Sequence, residues 1–382
     1  MRRLGLWLVG LSLVGCAGTG TSPLDNQPGT RFNSAGANNT GGRGTATSTM
    51  ELKPALATEK VSEDADDPAI WVNRIDPAKS LILGTDKIEV KGGLYAFGLD
   101  GKIVQKISDL DRPNNVDVEY DFKLGDKTVD LAVLTERKKG RLLVFAIDQS
   151  SGKLTDISGD TAILGEAVGD AKEPMGVGLY RNADGETYAI VSPKSGGTTN
   201  YLAQYRLIER EGKVDLKLVR RFGNFSGLTK DGEGEIEAIA VDDALGVVYC
   251  SDELKGIRKY WADPAKGSAE IALFGTDKYT ADREGMAIYA TGERDGFLLS
   301  VDQIEKKSRI FVYTRTGTSD KEAANKILKI IETSADSTDG LDATNRDLGP
   351  QFPEGIVVMM DSANKRFLIF DWRDISKQIT VR

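Results

Sequence analysis

Asp66-Asp67-Pro68-Ala69-Ile70-Trp71, followed by the apolar run 80–84 and the charged pair Asp86-Lys87, is a phrase that the chain repeats. An acidic or amide start leads into a short apolar stretch, a polar turn, a second apolar stretch and a charged or polar finish. Further copies occupy 115–137, 173–194, 235–253, 282–303 and 354–371. Their starts lie roughly 45 to 70 residues apart, the spacing of one supersecondary unit repeated around a propeller or along a solenoid. In an antiparallel hairpin the first residue of one strand and the last of the next lie at the same end. Each copy is therefore expected to bring an acidic start beside a polar finish, and six such ends to converge on one face.

Between the copies come further strand-like runs: 93–99 with 102–107, 141–147, 201–208 with 214–221, 256–261 with 270–274, and 309–313 with 327–331. Turns such as Asp100-Gly101 and Ser151-Gly152 separate or follow them. Hairpin plus hairpin makes a four-stranded blade, which predicts an all-β fold, a six-bladed β-propeller. After the last copy only 375–381 remains, enough for one strand, and the segment 52–61 is expected to supply the missing fourth. Pairing the two ends of the chain closes the ring and removes exposed sheet edges. Two stacked sandwiches would leave the repeated phrase without a reason. Helix is expected to be scarce, with 320–329 the best candidate.

The chain divides into 1–16, 17–49 and 50–382. Met1-Arg2-Arg3 and the apolar residues up to Val14 have the form of an export signal, too short to span a membrane comfortably. Leu13-Val14-Gly15-Cys16 resembles a bacterial lipobox, which predicts an exported lipoprotein held at the outer membrane or cell surface by lipid on Cys16. Residues 17–49 are rich in Gly, Ser, Thr and Asn with almost nothing to bury, and read as a flexible tether. Cys250 is then the one cysteine left to the domain, so no intrachain disulfide is expected and its thiol reads as structural.

The chain contains no histidine. That excludes Ser-His-Asp and Cys-His catalysis, histidine-ligated zinc and phosphohistidine intermediates. A formal charge of −8 argues against a nucleic-acid partner. What remains is carboxylate chemistry with hard cations, or binding alone. The hairpin ends present Asp66, Asp67 and Lys87; Asn115, Asp117 and Arg137; Glu173 and Lys194; Glu237, Asp252 and Glu253; Asp282, Glu284 and Gln303; Glu354 and Asp371. Asp336, Asp339 and Asp342 lie on the loop ahead of the last copy. Crowded carboxylates raise their pKa values or bind oxygen-seeking cations, and calcium suits such a set better than zinc or copper. Lys87, Arg137 and Lys194 among them point to an anion, with phosphate the natural candidate. Acids at strand ends also tie blades together. Asp67, Glu237 and Glu284, each directly ahead of a small apolar run, read as functional; Asp117 and Asp371 read as structural, and Asp252 stays open.

Asp66-Asp67-Pro68-Ala69-Ile70-Trp71, Asn114-Asn115-Val116-Asp117-Val118-Glu119-Tyr120-Asp121-Phe122, Arg283-Glu284-Gly285-Met286-Ala287-Ile288-Tyr289 and Ser337-Thr338-Asp339-Gly340-Leu341-Asp342 resemble the β-propeller phytases. The resemblance runs from about residue 50 to 371 in four ordered motifs. It implies a calcium-dependent phosphomonoesterase of the 3-phytase type, acting on myo-inositol hexakisphosphate with several bound calcium ions and direct attack by a metal-positioned water. It further implies that Lys87, Arg137 and Lys194 hold the phosphate being cleaved and that Lys91 approaches a second. Glu237, Glu253, Asp66, Asp67, Asp282, Glu284 and Gln303 resemble the metal and water ligands, and Asp339 joins the candidate metal set. Asp67 and Pro68 with Asn115 and Val116 resemble a structural calcium site. The partner this implies is a small phosphate ester; the membrane is the partner implied by lipid on Cys16, and the chain is expected to be a monomer. Departures are Met175 where the family often has tyrosine, Ser195-Gly196-Gly197 after Lys194, and Glu235-Ile236-Glu237-Ala238-Ile239 in place of a tighter Glu-Gly-Met-Ala form. Two alternatives stay open: a non-catalytic calcium-binding propeller for a glycan or protein, and a propeller hydrolase such as a lactonase.

Overall fold

The computed structural model describes residues 51–165, 167–230, 234–317 and 324–380. Cys16 and the stretches expected as signal and tether lie outside the described residues. Six four-stranded antiparallel sheets follow one another along the chain. Blade one is Ala65–Trp71, Leu81–Asp86, Gly92–Gly98 and Ile103–Leu110, and blade two is Pro113–Leu124, Lys127–Glu136, Arg141–Ile147 and Leu154–Asp156. Blade three is Pro174–Arg181, Thr187–Pro193, Thr199–Arg210 and Lys213–Asn224, and blade four is Ile236–Asp242, Val247–Asp252, Gly256–Trp261 and Ala272–Phe274. Blade five is Arg283–Ala290, Gly296–Asp302, Arg309–Thr314 and Ile327–Glu332. Blade six is Leu341–Thr344, Ile356–Asp361 and Arg366–Asp371, closed by Leu56–Ala57 from the start of the domain.

The first strand of each blade touches the first strand of the next, and the first strands of blades one and six meet as well, so the inner strands form a ring around a central channel. The apolar core is distributed around that ring as six clusters at the blade seams. Leu131, Val133, Val177, Leu179 and Val191 fill the seam of blades two and three, and Ile82, Phe97, Val358, Phe367 and Ile369 that of blades six and one. Because each sheet is covered on both faces, its middle strands read as continuous apolar runs such as Leu131-Ala132-Val133-Leu134, all fully buried.

Closure uses the predicted N-terminal strand, with Leu56 opposite Ile369 and Ala57 opposite Leu368. Two sequence expectations fail in blade six. The sixth copy of the phrase is not 354–371, because the inner strand is Leu341–Thr344. Thr344 pairs with Ile356 and Ile356 with Asp371, so Glu354 and Asp371 lie at the far end of the blade from the other acidic starts. Residues 375–381 were expected as a strand, but Trp372–Thr380 is the one α-helix among the described residues. Trp372, Ile375 and Ile379 recur at helical spacing; the first two are buried and Ile379 packs beside them. Trp372 stacks on Tyr289 of blade five with ring centroids 3.4 Å apart. The helix expected over 320–329 gives way at its end to the strand Ile327–Glu332, while 318–323 lie outside the described residues.

Candidate functional site

One backbone device recurs at the same end of all six blades. The residue that follows the second strand donates its N–H to a carbonyl just ahead of the inner strand. These bonds run from Lys87 to Asp64 (2.7 Å), Arg137 to Arg112 (3.1 Å), Lys194 to Glu173 (2.8 Å), Glu253 to Glu235 (3.2 Å), Gln303 to Asp282 (3.0 Å) and Ser362 to Asp336 (3.0 Å). Equivalent positions therefore carry a cation in blades one to three, a carboxylate in blade four and an amide in blade five. The result is a cationic arc facing an acidic one.

A second device re-aims the inner strands. Register shifts fall between Ala65 and Pro68, Pro113 and Val116, Pro174 and Val177, Ile236 and Ile239, and Glu284 and Met286. A bulge breaks the strict alternation of faces along a strand. It sits at Asp66-Asp67, at Asn114-Asn115, beside Glu237 and next to Glu284. Small residues let the blades approach here: a Cβ on Gly340 would stand 2.4 Å from Asp67 Oδ1.

Within the acidic arc, oxygens of Glu235, Glu237 and Glu253 all lie within 4.8 Å of one another, and all three residues are buried. Glu235 Oε2, Glu253 Oε1 and Glu284 Oε2 are buried without a hydrogen-bond partner. Asn114 Nδ2 donates to Glu237 Oε1 (2.7 Å) and to Asn115 Oδ1 (2.7 Å), and Asn114 Oδ1 accepts from Arg137 Nη1 (3.4 Å). This fully buried amide joins the cationic and acidic arcs. Sequence reading quoted Asn114 without giving it a role and missed Glu235 as a site residue. The available signal was Glu235-Ile236-Glu237, since residues two apart in extended chain face the same way.

Each cation is held by a carboxylate. Lys87 Nζ lies 2.5 Å from Asp66 Oδ1 and 3.2 Å from Asp339 Oδ2. Arg137 donates from Nε and Nη2 to Glu173 Oε2, at 3.1 and 2.9 Å, and Lys138 reaches Glu173 Oε1 at 2.7 Å. Lys194 Nζ lies 2.6 Å from Glu235 Oε1. Gln303 Nε2 donates to Asp339 Oδ1, which brings blades five and six into the cluster.

Burial drives the electrostatics. It pushes Asp66 and Glu235 up to about 7, helped by neighbouring carboxylates and opposed by Lys87 and Lys194 respectively. Asp67, Glu253 and Glu284 stand well above the ordinary carboxylate range, through burial first and adjacent acids second. Burial raises Glu237 and Asp339 too, with Lys87 opposing. For Lys87 burial disfavours the charge, but Asp339, Asp66 and Glu237 outweigh it and hold the ammonium well above its ordinary range. Divalent cations relieve a site of this kind.

Other acids at this end are structural. Asp86 accepts from the N–H groups of Ser62, Glu63 and Asp64, Glu136 from Asp111 N and Arg141, and Asp302 from Ala281 N and Arg309. Asp252, left open by sequence, belongs to this class: it accepts from Ser226 N (2.8 Å) and Arg258 Nε (2.9 Å). Asp117 accepts from Leu179 N of the next blade, as its structural reading expects. Asp67 Oδ2 accepts from Val116 N at 3.0 Å, and Asp67, Pro68, Asn115 and Val116 line a channel cavity of about 40 Å³, room for one small ion or water. The structure pairs Lys91 with Asp109 at the exposed rim, apart from the carboxylate cluster. Met175 is buried and its carbonyl accepts from Thr135 Oγ1. Cys250 is fully buried in the core of blades three and four, and burial raises its thiol. A larger cavity of about 690 Å³, between Arg74, Tyr120, Val241, Ile288 and Arg346, is lined by none of the candidate phosphate or metal residues.

A family model described as Phytase matches residues 36–380. The chain is 33% identical over 332 residues to a 3-phytase of Bacillus subtilis (strain 168), a match that covers 82% of this chain and 81% of that protein. Among solved structures, the alpha-L-arabinofuranosidase of Fusarium graminearum aligns over 84% of this chain and 96% of its own, with a TM-score of 0.50 and 11% identity. At that identity the likeness concerns the fold alone.

Proposed function

The chain belongs to the phytase family and is a phosphoric monoester hydrolase, and we propose that it removes phosphate from myo-inositol hexakisphosphate with several calcium ions held by its acidic arc. The observation that carries this is the placement of Lys87, Arg137 and Lys194 at equivalent blade positions opposite Glu253 and Gln303. The donor set fits hard cations. It consists of carboxylates and amides, and buried oxygens of Glu235, Glu253 and Glu284 lack hydrogen-bond partners. Asp66, Glu237, Glu253, Glu284 and Asp339 would hold the ions, with Asp67, Pro68, Asn115 and Val116 a structural one. When bound, calcium supplies the positive charge that offsets the acids and the Lewis acidity that favours attack by water on phosphorus.

The remaining work belongs to the chain. Arg137 offers a planar fork fixed by Glu173 and Asn114, suited to two oxygens of one phosphate. Lys87 and Lys194 supply point charges on either side of it in blade order. Two rows of opposite charge orient an anionic ester and stabilise charge developing on it. Export and lipid attachment at Cys16 belong to the same proposal and rest on residues 1–16 alone.

Replacing Lys194 by alanine tests the assignment. Phosphate release from phytate should fall at least about a hundredfold, with cooperative thermal unfolding retained. Undiminished release would remove Lys194 from the site and undo the cationic arc.

A further inference from the structure

Glu235 touches both halves of the site at once. Its Oε1 lies 2.6 Å from Lys194 Nζ and its Oε2 is buried without a partner, and the residue belongs to the group formed with Glu237 and Glu253. Glu253, whose Oε1 is equally buried and without a partner, is in the same group. The backbone fixes these two residues to each other, since Glu235 N donates to Glu253 Oε2 at 3.3 Å and Glu253 N donates to Glu235 O at 3.2 Å. Lys194, whose side chain is 23% exposed, is thereby neutralised by a group from the acidic arc. An incoming phosphate would find that ammonium already engaged and three carboxylates beside it.

We propose that Glu235 is a two-position side chain, the counter-ion of Lys194 in the metal-free protein and a ligand of a divalent cation in the loaded one, so that cation binding uncovers Lys194 for phosphate. The inference rests on the calcium reading above and adds to it an order of events, cation before phosphate. The physical reason is competition for one carboxylate. A lysine ammonium brings one charge, and a divalent cation brings two and satisfies the unpartnered oxygens of Glu235 and Glu253 together. The Arg137–Glu173 pair has no such release, because Glu173 is shared with Lys138 and lies outside the group of three glutamates. Glu235 is thus a positioning residue: it acts on phosphate through Lys194 and the cation, not by contact.

The test reads Lys194 directly. Brief acetylation of the full-length protein with acetic anhydride, quantified by mass spectrometry, should modify Lys194 weakly in chelator and severalfold more in calcium chloride. Adding inorganic phosphate after calcium should suppress the modification again. In Glu235→Gln the modification should already be high in chelator and should not respond to calcium. Calorimetric titration of that variant with calcium chloride, without substrate, should show affinity at least about tenfold weaker. Unchanged Lys194 modification in wild-type protein that demonstrably binds calcium would overturn the proposal and leave the calcium reading standing. Wild-type calcium affinity in Glu235→Gln would overturn the ligand role. No calcium binding by the wild-type protein would bring down the calcium reading itself, and this inference with it.

Discussion

Replacing Gly176 by alanine tests whether blade packing sets the position of Glu237. A Cβ on Gly176 would stand 1.8 Å from the backbone carbonyl oxygen of Glu237, whereas a carbon–oxygen contact settles at about 3.3 Å. The two inner strands must therefore separate by about 1.5 Å, and because the obstacle is backbone, no rotamer change relieves it. A movement of that size breaks the 2.7 Å bond from Asn114 to Glu237 and carries the carboxylate, together with Glu235 and Glu253 of the same blade, away from the cations of blades two and three. Overpacking of this kind costs about 1–3 kcal/mol, and misplacing a reacting group by about 1 Å costs roughly a hundredfold in rate. Gly176→Ala should unfold cooperatively a few degrees below wild type. It should release phosphate from phytate about a hundred times more slowly at saturating calcium. Thermal unfolding by circular dichroism and a phosphate assay read the two effects. A wild-type rate with an unchanged melting temperature would show that blades three and four separate freely and that close approach does not position Glu237.

The buried acids give the metal-free protein a pH dependence. Glu235 has a folded value of about 7 against 4.5 for the free side chain, and Asp66 about 7 against 3.8. The folded state then holds protons that the unfolded state has lost, so stability is full below the unfolded values and falls as pH rises toward about 7. Melting temperature in chelator should decline across that window and the decline should flatten in calcium; a melting temperature that rises with pH in chelator would contradict the burial argument. Asp252→Asn and Glu253→Gln, at adjacent positions, should separate structure from function. The first removes bonds from Ser226 and Arg258 and should cost about 3 kcal/mol with calcium affinity unchanged, and the second should weaken calcium binding with a smaller loss of stability. Identical behaviour of the two variants in both assays would erase the distinction between anchoring and site acids.

Blade number and the N-terminal closing strand could be read from the chain because each depends on a pattern along one segment: apolar runs of strand length, acidic starts and glycine turns. Blade six shows where that method fails. Its inner strand, Leu341–Thr344, is only four residues long and follows Asp339-Gly340, so the stronger apolar runs around Val357 and Phe370 mimic the repeat. The terminal helix was missed because Trp372, Ile375 and Ile379 are too few to announce a period, and it takes the Tyr289 ring of a distant blade to give them a face. In the site, the cations and most acids were legible as strand-end residues. Asn114 was not, since its role comes from a bulge and from a contact across blades that joins it to Glu237, 123 residues away; Glu235 had only its place two residues before Glu237 to mark it. The split between anchoring and site acids was equally invisible, because Asp252 and Glu253 are neighbours in sequence and differ only in which backbone and side-chain groups meet them in the folded ring.

On the proposed reading the acidic arc works on phosphate only when loaded with calcium. The most direct measurement is inorganic phosphate release from phytate by the full-length protein in chelator and again after calcium is restored. Release that vanishes in chelator and returns with calcium is the predicted result. Release that continues undiminished in chelator would contradict that dependence.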